Sequence, residues 1–146
     1  MRIYLDCCCL QRPFDDQRQP RIRVEAEAVL AILASVEAGD ISLLNSEALE
    51  YEMSRIPEGA RRREGLAILA LAAERLDVTP EVEALSQSLE DEGIGSMDAI
   101  HLAFASQSRA DYFATCDDKL LRKSQSIPRL DCRVVSVLTL VQETLK

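Results

Sequence analysis

The sequence predicts an α/β fold: a mostly parallel sheet with helices covering both faces. Short apolar, strand-like runs alternate with longer segments of helical period from one end of the chain to the other. Capping and breaking residues fall between them, and neither an internal repeat nor a low-complexity stretch interrupts the alternation. Strands that alternate with helices favour parallel pairing through crossover connections, which bury the sheet on both sides.

Each element has its own signal. RIYLDCC (2–8) reads as the first strand, followed by a loop holding Pro13 and Pro20. From Ile22 the apolar positions Ala26, Val29, Leu33 and Val36 recur at helical spacing as far as Gly39. ISLLNS (41–46) is a short strand, and Ser46 is a natural N-cap for the helix SEALEYEMSRI, which Pro57 and Gly59 break. RRREGLAILALAAERL (61–76) reads as helix, with Val78 as a brief strand residue. Thr79-Pro80 caps and opens a helix running to about Glu90, with proline at its first position. A loop at 92–96 leads to MDAIHLAFASQS, with Ser96 as its cap. DYFAT (111–115) is strand-like, DDKLLRKS a short helix, CRVVS (132–136) the last strand and VLTLVQETL a terminal helix.

The 146 residues suit one domain with a real core, and 47% apolar with 29% charged residues suits a globular chain rather than a disordered one. No apolar run approaches the roughly 20 residues of a membrane span, and the N-terminus lacks the pattern of a secretory signal, so a cytoplasmic protein is expected. A net charge of −8 argues against broad electrostatic adhesion to nucleic acid. It is compatible with a nucleic-acid enzyme whose cation-binding carboxylates themselves add negative charge. Basic residues gather locally at Arg18, Arg21 and Arg23, at Arg61–Arg63, and at Lys119, Arg122 and Lys123, where solvated helix faces are the simplest reading.

The five cysteines include three in a row, Cys7, Cys8 and Cys9, besides Cys116 and Cys132. An odd count with adjacent members is a poor disulfide framework and fits a reducing compartment. In a strand, Cys7 and Cys9 would face one side and Cys8 the other, so they would not converge on zinc, and no CxxC or Cys/His spacing is present. Cysteine is also a small buried hydrophobe. The expectation is packing at a strand end.

The carboxylates are placed where chemistry is expected. Asp6 ends the first strand, and Asp117 and Asp118 follow DYFAT, the same topological position on another strand. In open α/β sheets ligands bind outside such strand ends. Asp98 lies in the first turn of a helix. In SEALEYEM, Glu52 shares the line of Ala48 and Ile56 beside Leu49 and Met53, so it points toward the core, whereas Glu47 and Glu50 point outward. An inward carboxylate is costly unless it is paired or faces a cation. Carboxylate oxygens are hard ligands suited to Mg²⁺ or Mn²⁺, which activate water and stabilise charge on a phosphoryl oxygen. His101, the only histidine, lies three residues after Asp98 and reads as a partly buried helix residue.

YLDCC, SEALEYEM, SMDAIHLAFA and ATCDDKLL, in that order and over essentially the whole chain, resemble the PIN-domain family, and within it VapC-like toxins of toxin–antitoxin pairs. The resemblance implies a three-layer α/β/α sandwich forming a single domain over 1–146, and a metal-dependent ribonuclease using Mg²⁺ or Mn²⁺. It implies that Asp6, Glu52, Asp98 and Asp117 hold the metal, that the protein is a homodimer, and that a small antitoxin blocks it. SEALEYEM offers three glutamates for one role, and Asp118 stands as neighbour or substitute for Asp117. The rival reading is a catalytically idle PIN-like module that binds RNA or protein. A phosphohydrolase of small esters lacks a glycine-rich cradle or an aspartyl-nucleophile motif.

Overall fold

A computed structural model describes residues 1–145. Its five strands are β1 (Arg2–Leu5), β2 (Ser42–Ser46), β3 (Glu74–Leu76), β4 (Tyr112–Thr115) and β5 (Arg133–Ser136), all parallel, in the order β3-β2-β1-β4-β5. The helices are α1 (Cys7–Gln11), α2 (Pro20–Glu37), α3 (Glu47–Ser54), α4 (Gly59–Leu69), α5 (Pro80–Asp91), α6 (Ser96–Gln107), α7 (Asp118–Gln125) and α8 (Val137–Thr144). Strand order reverses direction at β1: the chain first builds outward to β3, then returns to lay β4 on the other side of β1. With right-handed crossovers, the reversal sends the earlier and later connecting helices to opposite faces. The result is an α/β/α sandwich.

Strands of a doubly covered parallel sheet should be apolar on both sides. Ile3, Tyr4 and Leu5 are fully buried in succession, as are Phe113 and Ala114 beside them. Tyr4 stacks on Phe113, with ring centroids 5.6 Å apart. The register pairs Leu5 with Ala114, and the amide of Asp6 donates to the Ala114 carbonyl at 3.0 Å. Asp6 therefore leaves the sheet beside Thr115, at the point where the strand order reverses.

Three expectations are corrected. The first strand ends at Leu5, and Cys7–Gln11 form α1 instead of continuing it. Asp6 causes the change: its Oδ1 accepts from the Cys7 amide at 2.8 Å and its carbonyl accepts from the Cys9 and Leu10 amides, which is N-capping geometry. The helix expected over 61–76 stops at Leu69, and the edge strand β3 is formed by Glu74–Leu76 and not by Val78. Alanine-rich LAAERL has good helix propensity, but pairing with Leu44–Ser46 and the Arg2–Glu74 ion pair at 2.7 Å override it. Gly95 rather than Ser96 occupies the N-cap of α6.

Elsewhere the caps act as the residue types suggest. Ser46 Oγ accepts from the Leu49 amide, and Thr79 Oγ1 from the Val82 amide, both at 3.1 Å. Close packing of α4 on α3 depends on one glycine: a Cβ at Gly65 would lie 2.1 Å from Met53 Sδ. That contact fixes α3, and α3 carries Glu52.

Candidate active site

The carboxylates singled out in the sequence sit around the C-terminal ends of β1 and β4. Asp6 is almost fully buried at 6% exposure. Its Oδ2 accepts from Thr115 Oγ1 at 2.9 Å and from the Cys8 thiol at 3.4 Å. Burial raises its carboxyl well above the ordinary value, and the Asp98 charge adds to the rise. Asp98, half-buried in the first turn of α6, is likewise raised by burial, then by the charges of Asp117 and Glu52. Asp117 caps α7, its Oδ1 accepting from the Lys119 and Leu120 amides at 2.9 and 3.2 Å. Asp98 and Asp117 line one pocket of about 270 Å³ together with Gly95, Lys119 and Lys123.

Glu52 joins this group through His101, expected from the sequence to be a partly buried helix residue and not a member of the site. Its Oε1 is in hydrogen-bond contact with Nε2 of His101, which is fully buried on α6. That contact lowers the Glu52 carboxyl below its ordinary value, burial opposing it. Donor atoms of Asp6, Glu52 and His101 all lie within 4.8 Å of one another. His101 bonds to Glu52 and Tyr4 rather than to Asp98. The available signal was its position three residues after Asp98, one turn along the same helix side.

The neighbouring acids have other partners. Glu50 pairs with Arg75 at 3.0 Å and accepts from Asn45 at 2.6 Å, and Glu47 accepts from the Val78 amide at 2.8 Å. Asp118 takes both guanidinium arms of Arg21, each at 2.8 Å. Among the described residues, no lysine or arginine is ion-paired with Asp6, Asp98, Asp117 or Glu52. A buried or half-buried carboxylate without a cation is expensive. The donor set is rich in hard oxygens at a strand-end crevice, so it fits a divalent cation such as Mg²⁺ or Mn²⁺.

The cysteines divide by helical geometry, not strand alternation. Cys7 lines a groove with Gln11 and Glu52. Cys8 and Cys9 turn toward the end of β4 and meet Cys116, with Cys9 and Cys116 sulfurs 3.6 Å apart. The basic clusters are mostly tied down: Arg18 to Asp16, Arg61 to Gln11 and Asp15, Arg62 to the Ile56 carbonyl. Lys119 and Lys123 are the basic residues lining the Asp98–Asp117 pocket.

The chain is similar in fold to two solved structures. One is VapBC2 from Rickettsia felis bound to a DNA fragment from their promoter, at 17% identity and a TM-score of 0.55, over 92% of this chain and 98% of that one. The other is PAE2754 from Pyrobaculum aerophilum, at 17% identity and a TM-score of 0.60, over 99% and 98%. No curated protein matches the chain in sequence. The family model described as PIN domain matches residues 3–125, which covers all of the clustered acids. By that match, and by its all-parallel α/β/α architecture, the chain belongs to the PIN-domain family.

Proposed function

We propose that this protein is a divalent-metal-dependent endoribonuclease, a single domain over 1–146 that serves as the toxin of a toxin–antitoxin pair. The observation that carries the reading is the set of acids without a lysine or arginine partner. Asp6, Glu52, Asp98 and Asp117 lack a lysine or arginine, while nearby Glu50 and Asp118 are each held by an arginine. Asp6, Glu52, Asp98 and Asp117 would hold Mg²⁺ or Mn²⁺, directly or through water. When bound, such an ion supplies Lewis-acid stabilisation of a phosphoryl oxygen and a more acidic water.

The chain's own residues prepare that centre. Thr115 and the Cys7 amide orient the Asp6 carboxylate from both oxygens. His101 orients Glu52, and the α7 amides fix Asp117. Lys119 and Lys123, at the rim of the Asp98–Asp117 pocket, are placed to draw an RNA phosphate backbone toward the acids despite the net charge of −8. The Rickettsia felis complex, in which VapBC2 is bound to promoter DNA, supports a small antitoxin as partner.

The test is cleavage of single-stranded RNA by the purified chain, with Mg²⁺ or Mn²⁺ and with chelator. Metal-dependent cleavage lost in Asp6→Asn and Asp98→Asn supports the reading. Binding of RNA without cleavage, equal with and without metal, would leave the idle-module reading in its place.

A further inference from the structure

Beside the carboxylates lies a second cluster of ligating atoms, chemically of the opposite kind. The sulfurs of Cys8, Cys9 and Cys116 all lie within 4.8 Å of one another, and those of Cys9 and Cys116 are 3.6 Å apart. All three are free thiols. A tetrahedral ion bonded to sulfur at about 2.3 Å sets its sulfurs about 3.8 Å apart, close to the Cys9–Cys116 separation. Small shifts would bring three thiolates onto one ion.

The surroundings suit such an ion. Cys9 and Cys116 are buried, while Cys8 is partly exposed and gives a route of entry. Three thiolates around a divalent ion leave surplus negative charge, and the Arg12 guanidinium near Cys116, which also pairs with Asp15 and Glu25, offsets part of it. Soft sulfur selects thiophilic cations and is a poor ligand for Mg²⁺. From this geometry we propose that Cys8, Cys9 and Cys116 form a binding site for a thiophilic cation of the Zn²⁺ class, separate from the hard carboxylate centre. The site stands independently of the nuclease reading. It adjoins that centre through Cys8, whose sulfur lies 3.4 Å from Asp6 Oδ2.

Cd²⁺ is the probe, because its thiolate complexes absorb in the ultraviolet by charge transfer. The full chain, stripped with chelator, reduced with a phosphine and held in excess Mg²⁺, is titrated with Cd²⁺. The expected result is a charge-transfer band saturating at about one ion per chain. Cys116→Ser should weaken that binding by at least about tenfold, as loss of one ligand from a small set requires, and Asp6→Asn should retain the band. The cadmium NMR shift of the wild type counts sulfur ligands without any substitution, and a shift typical of several sulfurs is expected. A wild type without a charge-transfer band, a shift typical of oxygen ligands alone, or a band lost in Asp6→Asn but kept in Cys116→Ser would each overturn the site. None of these readouts depends on RNA cleavage, so the two proposals fail separately.

Discussion

Glu52 and His101 are hydrogen-bonded across the interface of α3 and α6, and the bond belongs to a chain that returns to the start of α3. His101 Nδ1 lies 2.6 Å from the Tyr4 hydroxyl, which lies 2.7 Å from Ser46 Oγ, the cap of the helix carrying Glu52. One set of donors satisfies every member: Nε2–H donates to Glu52, Tyr4 O–H donates to Nδ1, and Ser46 O–H donates to Tyr4. The loop of bonds ties β1, α3 and α6 together around one carboxylate.

Tyr4→Phe cuts that chain at its middle. Tyr4 is fully buried, so the change strands His101 Nδ1 and the Ser46 hydroxyl away from water. A loss of roughly 1–3 kcal/mol in unfolding free energy is expected by denaturant titration. Cleavage per folded molecule should fall less than in Glu52→Gln, because the carboxylate itself remains. Equal loss of activity in both would show that cleavage needs the hydroxyl as much as the acid, against a role for Tyr4 through positioning alone.

The glutamates of α3 separate by partner. Glu52→Gln keeps size but removes the charge next to Asp6 and Asp98, so metal-dependent cleavage should be abolished with the fold retained. Glu50→Gln weakens only the contacts with Arg75 and Asn45, and Glu47→Gln only the bond from the Val78 amide. Both should cleave close to wild type. An inactive Glu50→Gln beside an active Glu52→Gln would reverse the assignment.

Most of the sheet was legible because apolar strand runs and Ser, Thr and Asp caps are local signals. What was illegible depended on long-range contacts. LAAERL looks helical until Arg2, far away in sequence, pairs with Glu74 and β2 supplies a ladder. YLDCCC looks like continuous strand unless Asp6 is recognised as a cap as well as a functional carboxylate. The positions of Asp6, Glu52, Asp98 and Asp117 could be read from strand ends and helix phase. His101 could not, because its partners Glu52 and Tyr4 come from two other elements.

Gly65 tests how tightly α3 is held. Gly65→Ala brings a methyl group into Met53, and relief requires moving a side chain that is itself fully buried. Stability should fall by about 1–3 kcal/mol, as for other overpacked cores. In a Met53→Ala background the same change should cost much less, since the colliding sulfur is gone. Additive costs in the double variant would mean that the two residues do not share the space.

Asp6 and Asp98 give the metal-free protein a predictable pH dependence. Both carboxyls are raised in the folded state, by burial first. Folded chains therefore hold protons that unfolded chains release above the ordinary carboxylate value of about 4. Stability from these groups is fully present below that value and is lost as pH rises through their raised folded values. Above those raised values the metal-free protein bears the whole penalty, and a divalent cation that neutralises the site should remove much of it. The wild-type midpoint in chelator, taken relative to that of Asp6→Asn at the same pH, should fall as pH rises above about 4, because the lowered carboxyls of Glu52, Glu74, Asp118 and Glu143 act with the opposite sign in both proteins. At neutral pH, millimolar Mg²⁺ or Mn²⁺ should raise the wild-type midpoint, while Asp6→Asn should begin higher in chelator and respond less to metal. A variant with the same pH slope and the same metal response as the wild type would remove Asp6 from the ligand set. A variant that loses the slope but keeps the metal response would show that burial raises Asp6 without a cation being bound there.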